Sequence, residues 1–220
     1  TNLKTRMMNR ILKLKYLVKL FIFIPVIFYF GERSYIAFDE GFYALQARWI
    51  LDRGNWVIPL WWNEYVLDRT IGLQYLIAKS QVIFGRNIFS VYLPTTAASI
   101  LMLFTTYKIH EEFFSKKYAI ISPLILSTTY LWFDYSHLAT QDIIFSCLVT
   151  IGIFSLVKIK SKANKIYILL FGIWIGLAFM MKTFLVFVPL ISLTPYFFIK
   201  KNYLFSKFFW VGLLIGFIPY

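Results

Sequence analysis

Long apolar runs recur along the whole chain and are separated by short polar segments. We interpret seven of them as membrane-spanning helices, because about 20 mostly apolar residues are needed to cross a bilayer. These runs cover residues 14–31, 89–108, 117–134, 140–157, 165–181, 184–199 and 206–220. Period-two alternation, which a membrane barrel requires, is weak. The pattern therefore predicts an all-α, polytopic membrane helical bundle with about seven spans.

A further, moderately apolar stretch at 70–84 carries Gln74, Lys79, Ser80 and Gln81. Whether this stretch crosses the membrane decides the direction in which every later span crosses it. If 70–84 does not span and the amino terminus is cytoplasmic, 16 of the 23 basic residues fall on the cytoplasmic side, in segments 1–19, 108–117, 158–165 and 200–207. Eight of the ten acidic residues then fall outside. The positive-inside rule favours this topology, which leaves 32–88 as the first extracytoplasmic loop.

Two surface helices are expected within this loop. On a helical projection of 70–84, Thr70, Gln74 and Gln81 form one narrow polar stripe, as in a helix lying at a membrane interface. The stretch 40–53 is also helical in pattern, and Gly54-Asn55 is a typical helix stop. Four tryptophans suited to the headgroup level lie in or near these helices, at Trp49, Trp56, Trp61 and Trp62.

Composition agrees with a membrane location. Hydrophobic residues make up 60% of the chain and charged residues 15%, against roughly 45–50% and 25% in soluble proteins. A net charge of +13 would suggest nucleic-acid binding in a soluble protein, but here the lysines follow the topology, so no nucleic-acid partner is expected. The single cysteine, Cys147, excludes a disulfide within the chain. Residues 1–220 form a single domain, and we expect them to be the amino-terminal part of a larger protein.

The polar residues that remain point to chemistry at one membrane surface. In this topology five sites fall on the extracytoplasmic side: Asp39-Glu40, Asp68-Arg69, His137, Asp142 and Lys182. Each has a simpler explanation on its own, since Asp39 suits a helix N-cap and a lysine can snorkel to the interface. A cluster of ionisable groups at membrane depth is costly and is usually functional. We therefore expect the five sites to converge.

The residues also resemble a known family. The resemblance rests on D-E-G-F-Y-A-L-Q-A-R-W-I-L-D-R-G-N-W-V-I-P at 39–59, L-D-R-T-I-G-L-Q-Y-L-I-A at 67–78 and F-G-R-N-I-F-S-V-Y-L-P-T-T at 84–96. It continues with A-T-Q-D-I-I-F at 139–145 and G-L-A-F-M-M-K-T-F-L-V-F-V-P at 176–189. In order and spacing these segments are similar to the lipid-linked glycosyltransferases of the GT-C class, in the branch of protein O-mannosyltransferases and aminoarabinose transferases. Their fold also implies surface helices in the first extracytoplasmic loop.

The resemblance implies roles for individual residues. Asp39 takes the position of the catalytic acid, accompanied by Glu40. Asp68-Arg69 take the place of an acid and a lysine, Asp142 that of an acid opening a helix, and Lys182 that of a lysine. From the residues themselves we expect Arg69 and Lys182 to bind the donor phosphate, supported by Asp68, Asp142 and His137. Two departures stand out. Arg69-Thr70-Ile71 replaces Lys-Pro-Pro, and Lys182-Thr183 replaces Lys-Gly, so a threonine stands where glycine supplies backbone freedom.

The function implied is transfer of a sugar from a polyprenyl-phosphate carrier to a lipid, glycan or protein acceptor at the extracytoplasmic face. Asp39 would act as the base, while Arg69 and Lys182 would stabilise the departing phosphate. The sequence also leaves open a divalent metal ion bound by Glu40, Asp68 and His137. A transporter or lipid flippase is the alternative, although transporters more often place charges near the bilayer midplane. A third interpretation is a noncatalytic membrane scaffold, in which Asp39 would be dispensable. We expect a multi-pass protein of the bacterial inner membrane with a cytoplasmic amino terminus.

Overall fold

The computed structural model describes residues 21–28, 33–36, 39–62, 64–66, 70–114, 116–160, 164–204 and 206–218. These residues are almost entirely helical. In chain order the helices are α1 (Ile24–Ile27), α2 (Glu40–Arg53), α3 (Gly72–Phe84), α4 (Ile88–Phe113), α5 (Ile121–Thr128), α6 (Tyr130–Ser136), α7 (Gln141–Lys158), α8 (Lys165–Lys182), α9 (Phe187–Ser192), α10 (Thr194–Leu204) and α11 (Lys207–Phe217). Two short 3₁₀ turns, Lys116–Tyr118 and Thr183–Val186, and two strands, β1 (Leu60–Trp61) and β2 (Glu64–Tyr65), complete the described chain.

Three helical runs within the described residues are long and apolar enough to cross a membrane. They are Ile88–Phe113, Gln141–Lys158 and Lys165–Ser192, and α11 is a shorter apolar helix. The first two match the spans predicted at 89–108 and 140–157. The third contains the span predicted at 165–181 and continues past residues 182–183 into the span predicted at 184–199. Most of the span predicted at 14–31 lies outside the described residues. A helical membrane protein is therefore confirmed, while the total of seven spans stays a prediction.

The segment 117–134 differs from its prediction as one continuous helix. It is divided into α5 and α6 at Thr129, whose ψ of 122° is extended. The hydroxyls of Thr128 and Thr129 donate to the carbonyl of Ile125 at 3.0 and 2.9 Å. Such hydroxyls bond carbonyls one turn back and compete with the helix's own N–H groups, which favours a break here. The apolar pattern alone does not predict this break, because it contains no information on side-chain hydrogen bonds to the backbone.

The predicted turn at 182–183 is present. Lys182 ends α8, and Thr183 follows it with a φ of 38° and a ψ of −114°. Beyond the turn, Phe184 lies 6.3 Å from Phe179 and Phe197 lies 5.7 Å from Phe171, so the chain runs back along α8. A positive φ at a β-branched residue is strained by about 1–3 kcal/mol. The surrounding packing holds this turn although no glycine is present.

Helix α3 forms where predicted, but its polar stripe faces inward. Gln74 is fully buried and Gln81 is 8% exposed. The Gln74 amide donates to the Gln46 side chain of α2 at 2.7 Å. An interfacial helix would turn such a stripe to water, so this interpretation of Gln74 and Gln81 was wrong. The helical projection correctly placed these polar residues on one face of α3. It did not reveal that this face packs against α2, where Gln46 is also buried.

A short hairpin closes the loop between α2 and α3. Strands β1 and β2 pair antiparallel, with Leu60 opposite Tyr65. Trp61 stacks on Phe42 at 4.5 Å and meets Trp49 edge-on at 5.7 Å. The hairpin is therefore fixed on α2 through aromatic contacts. The sequence analysis did not predict these strands.

A seam of four glycines joins α8 to α11. A methyl group on Gly176 would lie 2.5 Å from the carbonyl carbon of Gly216, and one on Gly212 would lie 2.2 Å from the Leu169 carbonyl oxygen. Gly172 is equally close to the facing backbone. Small residues spaced four apart let membrane helices approach until their backbones touch. The close approach holds α11 parallel to α8 and leaves no room for a side chain.

Gly176→Ala tests this seam. The new methyl group would force the two backbones apart, and overpacking of this kind costs about 1–3 kcal/mol. We expect a lower melting temperature of the full-length protein in detergent. The matched control is Gly41→Ala, because a methyl group there meets only the Ile36 carbonyl oxygen at 3.7 Å. Equal melting temperatures for the two variants would contradict the seam.

Candidate active site

The Glu40 side chain is fully buried at the first position of α2. Its carboxylate accepts two hydrogen bonds from the Arg33 guanidinium, both at 2.7 Å. The backbone N–H groups of Ile36 and Ala139 donate to it at 2.8 and 2.7 Å. The Tyr92 hydroxyl donates at 3.2 Å. Both oxygens therefore have several donors, and the negative charge is paired.

These contacts join four parts of the chain. Arg33 also donates to the His137 carbonyl oxygen at 2.9 Å and lies 5.4 Å from the centre of the Tyr92 ring. Residues 33–36, α2, α4 and the segment before α7 thus meet at one carboxylate. Burying a charge is tolerated only when it is paired and hydrogen-bonded, and Glu40 meets both conditions. We name this set, Arg33, Glu40, Tyr92, His137 and Ala139, the carboxylate clamp.

Asp39 is in a different environment although it is the adjacent residue. It occupies the N-cap position of α2, but its side chain makes no capping hydrogen bond. The residue is exposed. Within the described part of the chain, no hydrogen bond or ion pair is formed by its carboxylate. The simpler explanation of Asp39 as a side-chain cap therefore has no hydrogen bond to support it.

A second group of contacts surrounds the end of α8. The Lys182 ammonium donates to the Asp142 carboxylate at 2.5 Å. The Thr70 hydroxyl donates to the Met181 carbonyl oxygen at 2.7 Å, and the Gln141 amide lies 3.3 Å from the Thr70 carbonyl oxygen. The start of α7, the end of α8 and the residue that follows Arg69 in sequence are therefore in contact.

Close packing helps to hold α3 against α8. A methyl group on Gly72 would lie 2.7 Å from the Met180 carbonyl oxygen and 2.9 Å from the Met181 side chain. Only glycine permits this approach at the first residue of α3. The contact fixes the entry of α3 beside Lys182.

The segment 139–142 connects the two groups. Ala139 donates to Glu40 in the carboxylate clamp, and Asp142 accepts from Lys182 three residues later. Three residues of extended chain span at most about 11 Å. Glu40, His137, Asp142 and Lys182 are thus at the same end of the bundle, as the sequence analysis predicted.

Two of the predicted site residues, Asp68 and Arg69, lie outside the described residues. His137 takes part mainly through its backbone carbonyl. Its ring Nδ1 lies 2.7 Å from the Phe133 carbonyl oxygen. No group of three or more His, Cys, Asp or Glu side chains able to hold a metal occurs among the described residues. Glu40 does not suit a metal either, because both of its oxygens already accept from the Arg33 cation.

An elongated apolar cavity of about 390 Å³ opens beside Asp142. Trp132 of α6, Leu126 of α5 and Met102 of α4 form part of its wall, and Ser146 and Ile143 extend it along α7. The break between α5 and α6 places Thr129 at its edge. The cavity offers one carboxylate beside a hydrocarbon surface.

The sequence analysis missed several residues of the site. Arg33 was counted only as one of the basic residues, and nothing in the sequence paired it with Glu40. Tyr92 lies in an apolar span, where an aromatic residue is expected without any polar role. Thr70 and Gln141 contribute through side-chain hydrogen bonds to backbone carbonyls that are distant in sequence, which no local pattern reports. The only signal for these residues in the sequence was a hydroxyl or amide side chain near the end of an apolar stretch.

Comparisons with known proteins identify relatives of this chain. Residues 68–220 match the family model described as dolichyl-phosphate-mannose-protein mannosyltransferase. Two curated relatives are named undecaprenyl phosphate-alpha-4-amino-4-deoxy-L-arabinose arabinosyl transferase. The one from Wigglesworthia glossinidia brevipalpis is 29% identical over 206 residues, covering 88% of this chain and 36% of the relative. The one from Enterobacter sp. (strain 638) is 26% identical over 175 residues, covering 75% and 31%.

A solved structure shares the fold. The crystal structure of ArnT from Cupriavidus metallidurans bound to undecaprenyl phosphate superposes with a TM-score of 0.83 at 16% identity, covering 94% of this chain and 40% of that one. The chain spans about a third of the length of the curated relatives it matches. The family match covers well over half of the chain. This chain therefore belongs to the dolichyl-phosphate-mannose-protein mannosyltransferase family, among the lipid-linked glycosyltransferases of the GT-C class.

Proposed function

We propose that the full-length protein is an integral-membrane glycosyltransferase that moves a hexose or pentose from a polyprenyl-phosphate carrier to an acceptor hydroxyl. The observation that carries this proposal is the contrast between two adjacent acids. Glu40 is buried and fully hydrogen-bonded, whereas Asp39 is exposed and available. The family match and the names of the relatives support a lipid-linked sugar donor.

In the proposed reaction Asp39 accepts the proton of the acceptor hydroxyl. The hydroxyl oxygen attacks the anomeric carbon, and the bond from that carbon to the phosphate oxygen breaks with inversion. The electron pair leaves on the carrier phosphate, whose negative charge increases. A base held near its target typically contributes about 10²–10⁴-fold to the rate. Glu40 has a structural role in this proposal, because it orients the first turn of α2.

Lys182 and Arg69 are proposed to bind the departing phosphate. Lys182 is held in place by Asp142 and is 24% exposed, so it keeps N–H groups for a ligand. Arg69 directly precedes Thr70, whose hydroxyl bonds the residue before Lys182. A guanidinium can grip a phosphate in bidentate fashion and an ammonium supplies a point charge. Asp68 and His137 are proposed to support these two residues.

The apolar cavity beside Asp142 suits the first isoprene units of the carrier. It lies next to the proposed phosphate site and is bounded by Trp132, Leu126 and Met102. The lysine distribution favours an extracytoplasmic site and a cytoplasmic amino terminus in the bacterial inner membrane. A lipid, glycan or protein would then present its hydroxyl from the aqueous side.

Asp39→Asn tests the base. In the full-length protein we expect turnover to fall by about 10²–10⁴-fold, because an amide cannot accept the proton. The melting temperature should stay unchanged, since the Asp39 side chain makes no capping bond. Sugar transfer from an undecaprenyl-phosphate-linked donor, measured alongside thermal unfolding, separates the two effects. Near-normal turnover would leave a scaffold or a transporter as the better interpretation.

Glu40→Gln is the matched contrast. The amide keeps the shape but removes the charge that pairs with Arg33, and we expect a loss of about 1–3 kcal/mol in stability. The melting temperature of this variant should fall clearly below that of Asp39→Asn. A stable Glu40→Gln protein with no turnover would show instead that Glu40 is the catalytic acid.

Arg69→Gln and Lys182→Gln test the shared phosphate. If both residues contact one phosphate, each variant should weaken binding of undecaprenyl phosphate by about 1.5–3 kcal/mol. The double variant should cost less than the sum of the two, because the residues share a ligand. Lys201→Gln, at the far end of the bundle, is the control. Fully additive losses, or no loss, would mean that Arg69 and Lys182 do not meet at one ligand.

A further inference from the structure

A further cavity lies against α2. Its volume is about 660 Å³, and it is bounded by α2, the end of α3 and the start of α4. Arg48 lines it from α2, and Arg86 lines it from the connection between α3 and α4. Arg48 follows Asp39 by nine residues, which is half a turn at 100° per residue. The cavity therefore lies opposite the proposed catalytic acid.

One carboxylate holds both arginines of this cavity. The Arg86 guanidinium contacts Asp52 at 2.7 Å and the Arg48 guanidinium contacts it at 3.4 Å. The hydrogen bond from Arg86 lowers the pKa of Asp52, with the charges of Arg86 and Arg48 acting in the same direction. Asp52 therefore stays ionised at neutral pH, and the three side chains carry a net charge of +1. The Arg48 and Arg86 side chains remain 66% and 49% exposed, with N–H groups left to donate.

A mostly buried amide side chain, Gln81, also lines this cavity. Gln81 is only 8% exposed, and its side-chain oxygen has no hydrogen-bond partner among the described residues. The carbonyl oxygen of a buried amide costs free energy unless a donor reaches it. Tyr35 adds a donor on the opposite wall. Burial, together with the nearby charge of Glu40, raises the Tyr35 pKa, so its hydroxyl keeps its proton.

Exposed apolar residues lie at the ends of the two helices, α3 and α4, that bound the cavity. Ile83 and Phe84 at the end of α3 are 72% and 50% exposed, and Ile88 and Phe89 at the start of α4 are 39% and 42% exposed. The candidate span begins at Ile88, two residues after Arg86. Arginines at this depth lie at the level of lipid headgroups, with hydrocarbon directly beside them. The neighbouring ligand is therefore expected to be amphipathic.

We propose that this cavity binds the headgroup of an anionic glycerophospholipid that carries a hydroxyl, such as phosphatidylglycerol. Arg48 and Arg86 bind the phosphate diester, and the headgroup lies beside Gln81 and Tyr35, which line the same cavity. The acyl chains lie against the exposed residues at the ends of α3 and α4. This site is separate from the proposed donor site and requires no sugar transfer.

Binding of dihexanoyl phosphatidylglycerol to the full-length protein in neutral detergent, followed by native mass spectrometry, tests the site. Dihexanoyl phosphatidylcholine and inorganic phosphate are the comparison ligands. Arg48→Gln and Arg86→Gln should each weaken phosphatidylglycerol binding about tenfold, the effect expected for losing one charge-assisted contact. Arg53→Gln, on the same helix but outside the cavity lining, is the matched control and should leave binding unchanged. Binding of undecaprenyl phosphate should persist in all three variants.

Leu45→Trp provides a test that removes no charge. Leu45 lines the cavity, and the larger ring would fill part of it, so phosphatidylglycerol binding should be lost while the fold is kept. Equal binding of phosphatidylcholine, an equal loss in Arg53→Gln, or retained binding in Leu45→Trp would overturn the proposal. Binding of inorganic phosphate as tightly as phosphatidylglycerol would show a site for free anions and would overturn the lipid assignment.

Discussion

The described fold depends on the burial of a single carboxylate. The Glu40 charge is removed from water, and it is tolerated because Arg33 pairs with it and three further donors reach it. Those donors come from residues up to 99 positions from Glu40 in the sequence. Leaving any of them out would leave a buried charge with unmet hydrogen bonds, at a cost of about 1–3 kcal/mol or more. The carboxylate clamp thus specifies how residues 33–36, α2, α4 and the start of α7 come together.

The clamp also explains how two neighbouring acids can take separate roles. Glu40 faces the bundle, where its hydrogen bonds fix the first turn of α2. Asp39, one position earlier, is thereby directed to the surface with no partner among the described residues. Pairs of acids whose environments differ in this way commonly divide structural and chemical work between them. The same helix presents Arg48 on its opposite face, where it lines a separate cavity.

Sequence patterns predicted the elements that depend on local order. The bounds of α7 and α8, the start of α4, the helix at 40–53 and its end at Gly54 all follow from apolar period and cap residues. Helix α4 continues to Phe113, five residues beyond the predicted end at 108. Charge asymmetry and spacing also predicted that Glu40, His137, Asp142 and Lys182 share one end. The pairing of Arg33 with Glu40, the direction of the Gln74 stripe and the break at Thr129 did not follow, because each depends on a partner or a competing bond that the local pattern does not contain. Thr183 shows the same limit, since tertiary packing holds it in a conformation that glycine would adopt without strain.

The central claim is that the Glu40 clamp fixes the first turn of α2 relative to the end of α8. The most direct test is a distance measurement by pulsed electron paramagnetic resonance between spin labels at Asp39→Cys and Phe184→Cys in the full-length protein with Cys147→Ser. Both label sites are exposed, Phe184 at 75%. The account predicts one narrow distance distribution that broadens when Glu40→Gln is added and stays narrow with the exposed control Glu64→Gln. A distribution equally narrow with and without Glu40→Gln would contradict it.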